Sequence, residues 1–454
     1  MNIGSRAIAA AAGGAISTTL ILAAACVGAA ADNCAPGTRC LSVKANGEPG
    51  PGPFTAQCSG AFPDFLVPAA LAPAGGPWFK LSQDYPATAP ADDAPWLKID
   101  FADGVKGAND YLYALRDYSF AGMIEVDFRA QDNRVRPWFH MPMMNFGNGP
   151  REPIHGLTQE RPVTGPELGV KPNVTIHNYA VGFYNAAAAV TIGEVWKSGS
   201  PDLAKARFAQ GAMGFKILFS AATADDFVAG DLLTGAPQWS IATADGPTNV
   251  RLMQMDVAAA DARAPTGWVF GTFAFDRNAT DASPWRRLRP VGLSWGNDFG
   301  FTPADQQAGK KLAETTISDQ IPAYAAAHLG WAGRANGPVD NPISGCLSCH
   351  GTAQFPVAAA LAPFSTACDS DAKKMQWFRN FRGDQAFGAI DAPTCTLKTM
   401  SPAPVALDFS LQMQVAVQAV LQFHDMNPCA PSPAAAAARA PLPPEVANAP
   451  RVRR

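Results

Sequence analysis

The sequence predicts two folded domains. One is a β-rich domain, sandwich-like or mixed α/β, over residues 64–302, and the other is a small all-α domain over residues 303–429. Short apolar runs bounded by turn residues recur through the first part, which is the pattern of strands. A run with helical periodicity closes the second part. The length of 454 residues also favours more than one domain.

Composition and charge limit the class of protein. Apolar residues make up 48% of the chain and charged residues 16%, so the chain can bury a core and is not a disordered or fibrous protein. The 35 Lys and Arg residues nearly balance 38 Asp and Glu residues, and the sequence has no dense basic stripe. Nucleic acid is therefore not expected as a partner.

The first 31 residues have the pattern of an export signal. Arg6 precedes an uncharged stretch over residues 7–25, and small residues at Ala29 and Ala31 fit a cleavage site. An uncleaved membrane anchor is the alternative, but the stretch is rich in Ala and Gly and no stop-transfer flank follows it. The sequence therefore predicts export to the periplasm.

Three further terminal features carry predictions. Residues 23–26 loosely resemble a bacterial lipobox, in which Cys26 would be acylated and would tether the protein to a membrane. Residues 32–63 form a cysteine-containing segment that precedes the β-rich domain. Residues 430–454 are mostly Pro and Ala with four Arg residues, which predicts a disordered tail.

The β-rich domain has no familiar catalytic signature. Its predicted strands lie at residues 123–128, 174–184, 215–219, 252–257, 268–275 and 291–295. Loops that bind nucleotides, the nucleophile elbow of serine hydrolases and the helical zinc motif of proteases are all missing from the sequence. The role of this domain stays open.

One patch of the β-rich domain combines imidazole and thioether groups, which together suit copper. Its members are His140, Met141, Met143, Met144, His155 and His177. Core packing of the methionines and local hydrogen bonds of the histidines explain the patch better, because nothing in the sequence fixes these groups on one face.

The strongest motif is Cys346-Leu347-Ser348-Cys349-His350. This C-x-x-C-H spacing is the one for c-type haem attachment, in which two thiols add to the haem vinyl groups and the imidazole binds the iron. Half of a zinc site is one alternative, but no second paired Cys/His group follows the motif. A dithiol redox site is the other, but a turn-like stretch rather than an apolar strand precedes Cys346.

Six further cysteines predict disulfides in an oxidising compartment. They are Cys34, Cys40, Cys58, Cys368, Cys395 and Cys429. Chain order suggests pairing within the first three and within the last three. Each trio is odd, so one bridge joins the two trios or two thiols stay free.

From Cys346 to about residue 426 the chain resembles a single-haem c-type cytochrome domain, carried by the motif above. The resemblance implies that His350 is the proximal iron ligand and that a methionine near a proline, before a closing helix, is the distal one. Met400, followed by Ser401-Pro402 and by a helical run from Asp408 to His424 that the Asp408 side chain can cap, fits that description. Met375, Met413, Met426 and His424 are rivals.

The whole chain also resembles exported bacterial proteins that join an N-terminal domain of unknown role to such a haem domain. The segments that carry this fainter likeness are residues 138–142, 151–156, 266–273 and 336–341.

The expected function is that of an exported c-type cytochrome that carries one covalent haem c and transfers single electrons. A redox partner protein or a small-molecule donor or acceptor would supply and receive them. One alternative is a haem-linked periplasmic oxidoreductase whose N-terminal domain is catalytic. Another is a haem-based sensor or binding protein. Whether the protein is an enzyme stays open, with electron transfer favoured.

Overall fold

A computed structural model describes residues 78–91, 93–142, 151–165, 167–197, 201–243 and 245–426, together with three short N-terminal strands. Those strands, β1 (Ser42–Val43), β2 (Phe54–Gln57) and β3 (Asp64–Phe65), form a small antiparallel sheet. The predicted export signal, the predicted Pro/Ala tail and the cysteines at 26, 34, 40, 58 and 429 lie outside the described residues.

A large antiparallel sheet crosses the central region. Its strands are β4 (Thr158–Gln159), β7 (Asn178–Tyr184), β8 (Met213–Ser220), β9 (Gln238–Thr243), β10 (Gly246–Ala260), β11 (Trp268–Phe275), β12 (Leu288–Ser294) and β13 (Thr315–Ile317). Neighbours follow the order β13-β12-β11-β10-β8-β7-β4, and β9 pairs with the first part of β10. Two further short strands, β5 (Val163–Thr164) and β6 (Thr175–Ile176), pair with each other.

The predicted strand at residues 123–128 is wrong. This stretch forms turns, and Asp127 and Phe128 have φ angles of 53° and 56°, which no strand residue adopts. Tertiary contacts outweigh β propensity here, because the Asp127 carboxylate accepts hydrogen bonds from Trp239 Nε1 at 2.7 Å and is 3.0 Å from His155 Nε2. The other five predicted runs fall within strands of the large sheet, apart from the β6 end of residues 174–184 and from Trp295, which follows the last residue of β12.

Helix α1 (Gly104–Phe120) packs on the first face of the large sheet. The sheet side chains of this core alternate along their strands and include Phe183, Phe215, Ile217, Phe219, Phe273 and Phe275. Leu112 of α1 lies directly over Gly271, where an added Cβ would come within 2.2 Å of its methyl group. A glycine is therefore needed at this point of close approach.

The second face of the sheet is covered partly by helix α2 (Ala186–Trp196), which Asn185 caps, and partly by residues 303–426. This C-terminal segment contains α3 (Pro303–Gln307), α4 (Ala323–Ala326), α5 (Cys346–His350), α6 (Asp371–Lys374) and α7 (Leu411–Met426). It also contains β13 and two two-stranded antiparallel sheets, β14 (Gln354–Phe355) with β17 (Val405–Ala406) and β15 (Ala389–Asp391) with β16 (Thr396–Lys398). Among the described helices, none has the length and apolar character that crossing a membrane requires.

The predicted fold class, with a small all-α cytochrome c-like domain at the C-terminus, is therefore wrong. Strand β13 belongs to the large sheet, and of the segment's helices only α7 is longer than five residues. Leu347, Phe409 and Met413 of the segment share one core with Tyr184 and Phe270 of the sheet. Apolar side chains on the second sheet face must be buried. The C-terminal segment packs on them instead of forming a separate core of its own.

Helix α7 begins later than the sequence predicts. Asp408 was expected to cap it, but the Ser410 hydroxyl accepts the hydrogen bond from the Met413 amide at 3.2 Å. The Asp408 carboxylate instead accepts from Trp268 Nε1 at 2.8 Å and from the Phe208 amide at 2.7 Å. Asp408 therefore ties the C-terminal segment to the remainder of the chain.

Cys368 and Cys395 form a disulfide with a Cα–Cα distance of 5.2 Å, which confirms pairing within the last three cysteines. The bridge closes a loop of 27 residues around a small buried cluster that includes Met375, Trp377 and Phe387. Replacing both cysteines by alanine should lower the free energy of unfolding by about 3 kcal/mol, since the unfolded chain gains freedom. Urea unfolding of the double variant tests this, with unchanged stability as the contrary result.

Candidate functional site

The motif cysteines and histidine lie together on the short helix α5. The helix start is fixed from two sides: the Cys346 amide donates to the Ala335 carbonyl at 3.1 Å, and the Ser348 hydroxyl bonds to the backbone of Gly345. Cys346 and Cys349 are free thiols, and both are half-buried. The fold thus presents two unpaired thiols and one imidazole within a single five-residue helix.

The imidazole of His350 has one nitrogen engaged and one free. Its Nδ1 lies 2.8 Å from the Phe409 carbonyl oxygen. Because a carbonyl only accepts, Nδ1 must carry the proton, and Nε2 therefore has a lone pair. Within the described residues Nε2 has no hydrogen-bond partner. Burial lowers the pKa of His350 to about 4, so the ring is neutral at physiological pH and Nε2 can bind a metal.

A strained turn presents the Phe409 carbonyl to His350. Asp408 and Phe409 have φ angles of 48° and 60°, in the left-handed region that side chains disfavour. The two hydrogen bonds that Asp408 accepts, from Trp268 and Phe208, hold this turn in place. Gly383 makes room for it, since a Cβ there would lie 1.7 Å from the Asp408 carboxylate.

The sheet opposite α5 combines one large ring with small residues. The Phe270 ring centroid lies 4.5 Å from that of His350. Strand register places Ala258 beside Phe270 and Gly214 beside Ala258, and both small residues are half-buried. The small side chains at these two positions therefore leave a depression in the sheet surface beside Phe270, next to His350.

Four charged residues lie beside this surface, and we call them the carboxylate–lysine cluster: Glu160, Lys216, Asp256 and Asp340. Lys216 Nζ is 3.2 Å from Asp256 Oδ2. Gln254 Nε2 donates to Asp256 at 2.8 Å and to Asp340 at 3.0 Å, so one amide bridges two carboxylates. The cluster places three carboxylates against one ammonium on the sheet face that α5 covers.

Burial also determines the state of the two thiols. It raises the pKa of Cys349 to about 12 and that of Cys346 well above its ordinary value, and the nearby Asp340 charge acts on both in the same direction. Both thiols are therefore neutral at physiological pH. Rapid disulfide exchange needs a thiolate, so the environment disfavours a dithiol redox site.

The predicted distal ligand Met400 lies in the loop between β16 and β17 and is half-buried. Strand β17, which follows this loop, pairs with β14 just after His350. Of its rivals, Met375 is buried and its sulfur accepts the Gly300 amide hydrogen at 3.2 Å, while Met413 is buried in the same core as Leu347. The side chains of His424 and Met426 lie outside the described residues.

The described histidines of the imidazole and thioether patch each have different partners. His140 is buried and its Nδ1 accepts the Ser82 amide hydrogen at 2.8 Å, whereas His177 is exposed and bonds to Gln159. His155 stacks on Trp239 at 4.0 Å. Met143 and Met144 lie outside the described residues. Within the described residues no three His, Cys, Asp or Glu side chains are placed to hold a metal ion.

The donor set fits haem c. It consists of two free thiols at the required spacing and a neutral imidazole whose Nε2 is unoccupied by hydrogen bonding. Comparison of the chain with protein-family models, with curated proteins and with solved structures finds no match.

Sequence reasoning found α5 but missed the groups around it. Asp408 was interpreted as a helix cap, and Phe270 and Lys216 were interpreted only as strand residues. Their sequence separation from the motif left no local signal that could have identified them. Only Lys216 gives a signal, because it is a charged residue within an apolar run that predicts a buried strand.

Proposed function

We propose that the chain binds one haem c and carries single electrons. Cys346 and Cys349 form the two thioether links, and His350 binds the iron through Nε2. The observation that carries the proposal is the hydrogen bond from His350 Nδ1 to the Phe409 carbonyl, beside two unpaired thiols on the same helix. When bound, haem c supplies an iron that alternates between the ferric and ferrous states.

The chain's own residues have three tasks in this proposal. The Phe409 carbonyl orients the imidazole and makes Nε2 a more basic metal ligand, because the hydrogen bond to the other ring nitrogen raises the basicity of a metal-binding histidine. The Phe270 ring packs against His350 and covers one side of the imidazole. The strained Asp408–Phe409 turn keeps the carbonyl in place through its two side-chain hydrogen bonds.

The proposed setting is the periplasm, with export directed by residues 1–31 and a lipid tether if Cys26 is acylated. The proposed partners are a redox protein or a small-molecule electron donor or acceptor. Electron transfer is tested by mixing the purified protein with a one-electron dye and following the haem spectrum. Rapid, reversible exchange without carbon monoxide binding to the ferrous form supports a simple carrier. Carbon monoxide binding contradicts it and favours a sensor or a haem-linked enzyme.

Met400 is the proposed sixth ligand. Replacing it by leucine keeps its volume but removes the sulfur, so the weak sulfur-to-iron charge-transfer band of the ferric protein should disappear. The reduction potential should also fall, because a Met/His pair raises it. Met375→Leu is the matched control and should keep the band, since that sulfur already accepts the Gly300 amide hydrogen. A band that survives Met400→Leu would show that another residue binds the iron.

A further inference from the structure

The carboxylate–lysine cluster is half-buried and unevenly paired. Asp256 is satisfied by Lys216, by Gln254 and by the Thr272 hydroxyl at 2.8 Å. Within the described residues, the Asp340 carboxylate accepts hydrogen bonds only from the Gln254 amide at 3.0 Å and the Gly337 amide at 3.1 Å. Three carboxylates share one ammonium in this half-buried setting, and Lys216 pairs directly with Asp256, so the negative charge of Asp340 is incompletely compensated.

Asp340 already holds its proton more tightly than an ordinary aspartate. Burial raises its pKa to about 6, with a further contribution from the neighbouring Asp256 charge, while Lys216 acts in the opposite direction. Among the described residues, the charged or titratable groups facing it are Glu160, Lys216 of β8, Asp256 of β10, and Cys346 and Cys349 of α5. Asp340 is half-buried, and the side chains of Lys216 and Asp256 each retain 24% exposure, so protons can reach the cluster from water.

The cluster is electrostatically connected to the proposed haem ligands. The charges of Lys216 and Asp256 act on the His350 imidazole, and that of Asp340 acts on both thiols. A gain of one electron at the site removes one positive charge from the neighbourhood of these carboxylates. Their affinity for protons must then rise, since an opposite charge nearby favours the ionised form and its loss favours the neutral one.

We propose that the carboxylate–lysine cluster is a proton-binding site that couples proton uptake to electron transfer, with Asp340 as the group that takes the proton. This inference rests on the proposed haem function. One electron from the one-electron donor would reduce the haem iron, and one proton would pass from a solvent hydronium ion to a carboxylate oxygen of Asp340, so that one O–H bond breaks, one forms and water is left. The reverse step returns the electron to an acceptor and the proton to water.

The test is the reduction potential of the intact haem protein measured between pH 4.5 and pH 8. In the wild type the equilibrium constant for reduction should fall as the pH rises, because reduction takes up a proton. The steepest slope for one proton and one electron is tenfold per pH unit, about 59 mV. A total fall of about tenfold corresponds to a rise of about one unit in the pKa of Asp340 on reduction. Asp340→Asn should remove this dependence, and Asp369→Asn, at an exposed aspartate of the same segment, should keep it.

Two further variants should shift the pH range of this fall in opposite directions. Lys216→Met removes a charge that lowers the pKa of Asp340, so the fall should shift to higher pH. Asp256→Asn removes a charge that raises that pKa, so the fall should shift to lower pH. These two shifts test the coupling of proton uptake to reduction even if Asp340→Asn does not fold. A coloured protein whose potential has the same pH dependence in all variants overturns the coupling alone.

Stability gives a second readout that does not depend on the potential. Since the folded pKa of Asp340 lies above its unfolded value, its stabilising contribution is complete below about pH 4. It is lost as the pH rises through about 6. The unfolding constant of the wild type should therefore rise by up to about a hundredfold relative to Asp340→Asn across this range. A colourless protein would contradict the proposed function and this inference together.

Discussion

Replacing Cys346 and Cys349 by serine should yield a folded chain with no covalently bound haem. Serine keeps the size and polarity of each side chain but cannot form a thioether link. Each single variant should retain one link, because the remaining thiol still lies beside His350 on α5. The measurement is the haem that stays with the polypeptide after denaturation in acid. Serine at Cys368 and Cys395 is the matched control and should leave haem content unchanged, since that pair is a disulfide remote in sequence from the motif.

The outcome that contradicts this prediction is full retention of denaturation-resistant haem in the double serine variant. Attachment would then involve other residues, and the geometry of α5 would have no bearing on it. Loss of haem in the Cys368 and Cys395 variant as well would indicate that unfolding, rather than the missing thiols, removes the group.

Replacing Arg334 by methionine should lower the free energy of unfolding by about 3–5 kcal/mol. Arg334 is only 2% exposed, and its guanidinium donates to the carbonyls of Asn297, Asp298, Phe301 and Trp331 at 2.7–3.1 Å. It also lies 4.5 Å from the ring centroid of Phe378. Burial lowers its pKa to about 10, so it stays charged at physiological pH. Methionine fills the space but leaves four carbonyls without this donor.

Urea unfolding of the purified protein measures this effect. Arg382→Met, at an exposed position of the same segment, should change stability by less than about 0.5 kcal/mol. Arg334→Lys should fall between the two, because an ammonium lacks the planar fork that reaches several acceptors. A stability loss at Arg334 no larger than that at Arg382 would contradict the structural role described for it. Since Arg334 begins the segment that leads into α5, replacing it should also make the position of α5 less well fixed.

The chemistry of the site was readable from the sequence because it depends on short spacing. C-x-x-C-H specifies the thiols and the imidazole within five residues, and a short helix brings them together wherever it packs. Strand periodicity located β8, β10, β11 and β12 for the same reason, since alternation is a local property. Where the pattern misled, as at residues 123–128, contacts from Trp239 and His155 set the backbone instead.

The surroundings of the site depend on contacts between distant residues, which a single sequence does not encode locally. His350 bonds to Phe409, and Trp268 bonds to Asp408 across 140 residues. The placement of α5 on the sheet follows from a shared core, so a family resemblance that implied a separate all-α domain gave the wrong architecture. The left-handed turn at Asp408 and Phe409 has no glycine or asparagine to signal it.

The central claim is that a haem is joined to Cys346 and Cys349. The most direct test is the intact mass of the mature protein, purified under denaturing conditions from a host that can attach haem c, together with its visible spectrum. The account predicts a coloured polypeptide heavier than its amino-acid sequence by the mass of one haem. A colourless polypeptide with the mass of the amino acids alone would contradict it.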